Sequence, residues 1–226
     1  MTAISKKDMQ QYLCATEYFD YDDPQITSLF EQIKIGSPKA MAIEIYYLVR
    51  DNYLYNPYCF VDGINSFRGS YCCEKNEGYC IPKASLMIAL CRKAGIPARL
   101  GLADVKNHLA TPKLLEMLGT DIFSMHGYVE VCIEGKWVKA TPAFNRSLCE
   151  KMHSLPLEFN GEDDSIFQPF TEKGHKHMEY ITDWGTFAEL PVDFIMDNFN
   201  KHYPHFMGKL SNKEYSADIA PAMEKE

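Results

Sequence analysis

Gly78-Tyr79-Cys80-Ile81-Pro82-Lys83-Ala84-Ser85-Leu86-Met87-Ile88-Ala89-Leu90-Cys91-Arg92-Lys93-Ala94-Gly95-Ile96-Pro97 is the stretch on which the reading of this 226-residue sequence turns. Pro82 fits the first turn of a helix, where its missing N–H is no loss, and Gly95 followed by Pro97 is a stop. The helix is therefore expected through Ala94, with Ile81, Ala84, Ile88 and Cys91 on its apolar face. This places Cys80 at or beside the N-cap. Unpaired backbone N–H groups and the positive end of the dipole favour a thiolate there, and they could stabilise an oxyanion formed next to the sulfur. Most cysteines are small buried hydrophobes, and Cys91 is read that way. Cys80 is singled out by position.

Downstream, Ala98 to Val105 alternates like a strand, residues 107–124 read as a loop, and His126 to Ile133 reads as a second strand. Glu134-Gly135 is a tight hairpin signal that returns Lys136 to Thr141 beside it. His126, Tyr128, Glu130 and Cys132 share one face, while Val129, Val131 and Ile133 share the core face. His126 is thus expected on the more polar face, free for acid–base work. A two-residue loop sets Tyr128 opposite Thr141 and His126 opposite Ala143. Thr141 then lies diagonally from His126 at about 7–8 Å between backbones, close enough to orient its imidazole.

Upstream, Pro24 and Ser37-Pro38 announce two helices, and the aromatic run from Asn52 to Ser70 reads as loop and short extended pieces. Tyr53, Tyr55, Tyr58, Phe60, Phe67 and Tyr71 read mainly as packing, with a minority lining an acyl-donor groove. Residues 146–208 are less regular, with a helix expected from Pro191 to Tyr203, and a polar tail is expected from about Lys209. Helices first and antiparallel strands after them indicate an α+β domain. The organisation expected is a single domain over 1–208, with a core at about 20–145, an extension over 146–208 and a tail over 209–226.

Composition excludes several classes. With 23 Lys+Arg against 31 Asp+Glu, the net charge of −8 argues against a nucleic-acid partner. No apolar run approaches the roughly 18 residues of a membrane span. The opening residues, Met1 to Asp8, lack the apolar region of a secretory signal, so a cytoplasmic location is expected. The eight cysteines are then expected to be mostly reduced. Cys72, Cys73, Cys80, His175 and His177 supply ligand atoms but no zinc spacing, and no phosphate-cradling or dinucleotide motif occurs. Neither a metal nor a cofactor is expected.

Gly78-Tyr79-Cys80 at a helix start, the turn Gly95-Ile96-Pro97-Ala98-Arg99, and His126-Gly127-Tyr128-Val129-Glu130 ahead of Gly135-Lys136-Trp137-Val138 together resemble the transglutaminase-like superfamily. Val49-Arg50-Asp51 followed by Tyr55 is similar to the segment preceding that family's core. The resemblance covers about residues 20–145. It implies a papain-like α+β core, with Cys80 as nucleophile, His126 as base, and acyl transfer at protein or peptide amides, among them the reactions of bacterial-type transglutaminase-like cysteine proteases and amidases. Hydrolysis is preferred to crosslinking, because nothing in the chain marks an acceptor-amine site. The family usually carries Asp-Pro where this chain has Thr141-Pro142. Thr141 therefore takes the orienter's position without a carboxylate, as a neutral Asn does in some Cys–His proteases. Asp104, Asp121 and Asn145 are alternative orienters. The competing reading is a catalytically inactive binding module on the same fold.

Overall fold

The computed structural model describes residues 9–108, 110–166 and 178–211. Helix α1 (Pro24–Phe30) begins under an Asp23 cap that accepts from Gln25 N–H at 2.8 Å. Helix α2 (Pro38–Asn52) repeats the device with Ser37, whose Oγ accepts from Ala40 N–H at 3.2 Å. In both, a side-chain oxygen takes an orphan donor while proline supplies the helical φ. Strand β1 (Leu54–Tyr55) follows, then a 3-10 run (Pro57–Phe67) kinked at Gly63, helix α3 (Gly69–Lys75) and strand β2 (Glu77–Gly78). The start of α3 is fixed from a distance, by Asp20 accepting from Ser70 N–H at 3.1 Å.

Strands β1 and β2 pair in parallel, which sets Tyr55 beside Gly78 just before Cys80. Helix α4 (Cys80–Lys93) then runs through the middle of the molecule, and every residue from Cys80 to Arg92 is buried. The apolar face expected from its periodicity is thus only part of what it buries. Each fully buried Leu, Ile or Met there contributes about 1.5–3 kcal/mol. On one side α4 meets α2 and α3. On the other it meets the sheet formed by β3 (Ala98–Asn107) and β4 (Ile122–Ile133).

The residues expected as a loop between those strands hold a short helix, α5 (Pro112–Leu118), and β4 begins earlier than expected, at Ile122. Thr111 caps α5 ahead of Pro112, the same start signal as in α1 and α2. Strand β5 (Lys136–Ala140) returns through Glu134 and Gly135, both at positive φ (52° and 82°). That backbone twist suits the hairpin. Val129 pairs with Ala140 and Glu130 with Lys139, the register that points Tyr128 toward Thr141, although pairing stops at Ala140.

After the sheet come helix α6 (Arg146–Lys151), strand β6 (Met178–Phe187) and helices α7 (Val192–His202) and α8 (Pro204–Ser211). The sheet order is β5-β4-β3-β6, with every neighbour antiparallel. Strand β6 is an edge strand absent from the sequence expectation. Exposed Tyr180 and Ile181 interrupt the inside–outside alternation that would have announced it. Lys209 to Ser211, expected as tail, close α8. One hydrophobic cluster extends from Tyr18 to Met207 and takes in Ile195, Phe199, Tyr203 and Phe206. Among the described residues no helix is long and apolar enough to cross a membrane. All eight cysteines are free thiols.

Candidate active site

Cys80 is the first residue of α4, and the N-cap residue Tyr79 contributes no side-chain acceptor. The first-turn donors are therefore left to the sulfur. Burial pushes the Cys80 thiol up, N–H groups of Gly127, Ile81 and Cys80 itself pull it down, and burial wins at about 11. The thiolate expected from helix position alone is thus offset by a cavity only 9% open at this residue. Gly127 lets β4 approach: a Cβ there would lie 3.3 Å from the Ile81 side chain and 3.5 Å from the Cys80 carbonyl carbon.

His126 sits one residue earlier on β4, opposite Ala103 of β3. It is 3% exposed rather than solvated, and burial alone drives the imidazole down to about 3. Cys80 and His126 line the same cavity. Immediately before His126 the ladder breaks, with Val105 pairing with Phe123 and Ala103 with His126. Met125 takes a left-handed φ of 58°. Buried Asp104 spans this bulge, accepting from Ser124 Oγ at 2.8 Å and from Met125 N–H at 3.0 Å. Bulges of this kind re-aim the residue that follows, and here that residue is the histidine.

Thr141 follows β5, is 2% exposed, and its Oγ1 has no hydrogen-bond partner among the described residues. Its carbonyl accepts from Tyr46 OH at 3.3 Å. It is not one of the residues lining the Cys80–His126 cavity. Of the alternative orienters, Asp121 is a half-buried residue paired with Lys106 at 2.9 Å and is not among the residues lining the cavity. Asn145 accepts from Tyr55 N–H at 2.9 Å and donates to Ser147 Oγ at 2.8 Å, so it fixes a wall residue. Asp104 holds the bulge.

The cavity wall also contains residues that local sequence did not single out. Phe199, Tyr203 and Phe206 come from α7 and α8, and Leu114 and Met117 from α5. Tyr203 ties this part of the wall down: its hydroxyl donates to Ile122 O at 3.1 Å and accepts from Ser124 N–H. The helix expected near 191–203 was readable, but nothing local says what its apolar stripe covers. Of the aromatic run, Tyr55 and Phe60 reach the wall. Cys91 is core, and burial raises its thiol to about 12. Cys72 is fully buried and Cys73 half-buried. Among the described residues no group of three or more His, Cys, Asp or Glu could hold a metal ion, and His175 and His177 lie outside those residues.

A model of the transglutaminase-like superfamily core matches residues 27–142, just over half of the chain. The chain belongs to the transglutaminase-like superfamily. Its fold is accordingly α+β with a papain-like core, and cysteine-based catalysis is the chemistry of the class. Among solved structures, the chain is similar to a proposed cysteine protease from Cytophaga hutchinsonii, at 23% identity and a TM-score of 0.46. That likeness covers 62% of this chain and 43% of the other, so the chain spans less than half of that protein. Comparison with curated proteins finds no match. The span matching the transglutaminase-like superfamily contains Cys80, His126 and Thr141. Helices α7 and α8, which close the cavity, lie outside it.

Proposed function

We propose that this transglutaminase-like chain is a cysteine hydrolase acting on protein or peptide amides through a Cys80 thioester, with His126 as the base; Thr141, whose Oγ1 makes no hydrogen bond to the imidazole, does not orient it in this arrangement. The observation that carries the reading is the shared cavity. A thiol facing three backbone N–H groups and an imidazole line one small space, and both are buried in neutral form. On acylation the thiol proton passes to His126, sulfur bonds to the carbonyl carbon, the C–N bond breaks, and the leaving amine takes the proton back. Water then gives its proton to His126 and attacks the thioester. The C–S bond breaks, the acid leaves, and the proton returns to sulfur. N–H groups at the start of α4 are placed to receive the oxyanion in both halves.

The test is a p-nitrophenyl acetate burst followed by intact-mass measurement. One acetyl group per chain, mapped to Cys80, is the expected result, and Cys80→Ala abolishes it with a loss on the order of 10⁴-fold or more in turnover. The second reading, an inactive binding module, is favoured by the missing carboxylate at Thr141. It requires that no acyl group ever appears on Cys80.

A further inference from the structure

The cavity beside Cys80 has a composition that constrains the acyl half of the substrate. Its wall is hydrocarbon, with Phe60, Leu114, Met117, Phe123, Phe199 and Phe206 prominent in it. Of its polar lining, Ser124, Met125, Tyr203 and Tyr79 are already engaged. Ser124 Oγ donates to Asp104, Met125 N–H does the same, Tyr203 OH bridges Ile122 O and Ser124 N–H, and Tyr79 OH meets Ser66 Oγ at 3.4 Å. The space is about 70 Å³, roughly half of the 150 Å³ that holds a benzene ring in an engineered apolar cavity.

We propose that this cavity receives a short unfunctionalised hydrocarbon acyl chain, about three carbons beyond the reacting carbonyl. This rests on the reading of Cys80 as the acylated nucleophile and names its substrate class: an amine carrying a small alkyl acyl group, such as an acylated side-chain amine on a peptide. The acyl half enters the cavity, and the amine half, with its polar backbone, stays at the mouth. A peptide bond presented the other way round would bring a backbone N–H into the cavity two atoms from the carbonyl. Its hydrogen bond to water would go unreplaced, a penalty of roughly tenfold or more in efficiency. Each methylene that fills the space improves acylation about fourfold, until the wall is met.

The experiment measures single-turnover acylation of the full chain by p-nitrophenyl acetate, propionate, butyrate, pentanoate, hexanoate and N-acetylglycinate. Each rate is divided by that of the same ester with a free thiol in solution. The normalised rate is expected to climb to butyrate and fall by hexanoate, with N-acetylglycinate at least tenfold slower than pentanoate. Phe206→Ala moves the maximum to a longer chain, and Met117→Ala, from α5, does the same should the first variant fold poorly. A rate independent of chain length, or N-acetylglycinate equal to its hydrocarbon match, overturns the inference while leaving Cys80 as nucleophile. A uniform rise for every ester in Phe206→Ala also overturns it, because α7 and α8 would then be a cover and not a wall. Absence of any Cys80-dependent burst removes the catalytic reading and the inference with it.

Discussion

Two groups of ionisable side chains lie buried along α4, one helical turn apart, and what they bond to differs. At the first residue, Cys80 shares its cavity with His126, and no carboxylate contributes to the shift of either group. One turn on, Lys83 is wholly buried but donates to the carbonyls of Arg50 at 3.0 Å and Tyr53 at 2.6 Å, at the end of α2. Arg50, equally buried, grips Asp51 through two bonds of 2.9 and 2.7 Å, donates to Leu157 O, and stacks on Tyr47 at 4.8 Å. Partners turn the second group into scaffold that holds α2, α4 and the 157–158 segment together. Burial, with no carboxylate to offset it, leaves the first group neutral and poised for proton transfer. The same helix thus serves stability one turn below its chemistry.

The contrast can be broken most severely at its chemical end. His126→Ala removes the proton carrier and is expected to slow ester turnover by about 10²–10⁴-fold, with the unfolding midpoint little changed; steady-state kinetics beside a urea titration measures both. Arg50→Ala is expected to do the reverse. It opens a cavity and strands Asp51, at a cost of about 3 kcal/mol in urea unfolding, while the residual folded fraction keeps its Cys80 burst. A collapse of the burst at full folding would mean the scaffold also sets the geometry of the site.

Thr141→Asp tests whether a carboxylate converts one kind of group into the other. The Thr141 oxygen is buried and has no hydrogen-bond partner among the described residues, so a carboxylate in its place is expected to raise the His126 imidazole from about 3 by at least one pH unit. The accompanying loss of stability is roughly 1–3 kcal/mol. Ring-proton NMR across pH reads the shift, and an unmoved imidazole would place Thr141 away from the ring.

The smallest effect is a slope. Burial lowers Lys83 to about 7 from its ordinary 10.5. Above pH 7 the unfolded chain still holds that proton while the folded chain has released it, so stability rises with pH. The window runs from pH 7 to about 8.5, before thiols of the unfolded chain ionise. Lys83→Met is expected to flatten that rise. His126 acts below it: held at about 3 against an ordinary 6.5, it makes stability fall as pH drops through 6.5 toward 3.

Much of this molecule was legible one element at a time. Proline after a capping residue marked α1 and α2, Pro82 and Gly95 bounded α4, and Glu134-Gly135 set the register of β4 against β5, because each of these signals acts within a few residues. What escaped depends on distant partners. Helix α3 starts under Asp20, some fifty residues earlier in the chain. Strand β6 alternates too weakly to announce itself, and finds its place by pairing with β3. The bulge at Met125 needs Asp104 from the neighbouring strand.

The sequence by itself determined that Cys80 opens a helix, that His126 lies on a strand whose hairpin ends near Thr141, and that their spacing is that of the transglutaminase-like superfamily. Local backbone preferences and side-chain period suffice for all three. Only the tertiary structure decided that the thiol and imidazole are neutral, since their ionisation depends on how much water reaches them. The lining that encloses them includes Phe199, Tyr203 and Phe206, which arrive from the α7–α8 segment more than seventy residues after His126. Helix position pulls the Cys80 proton off; burial holds it on.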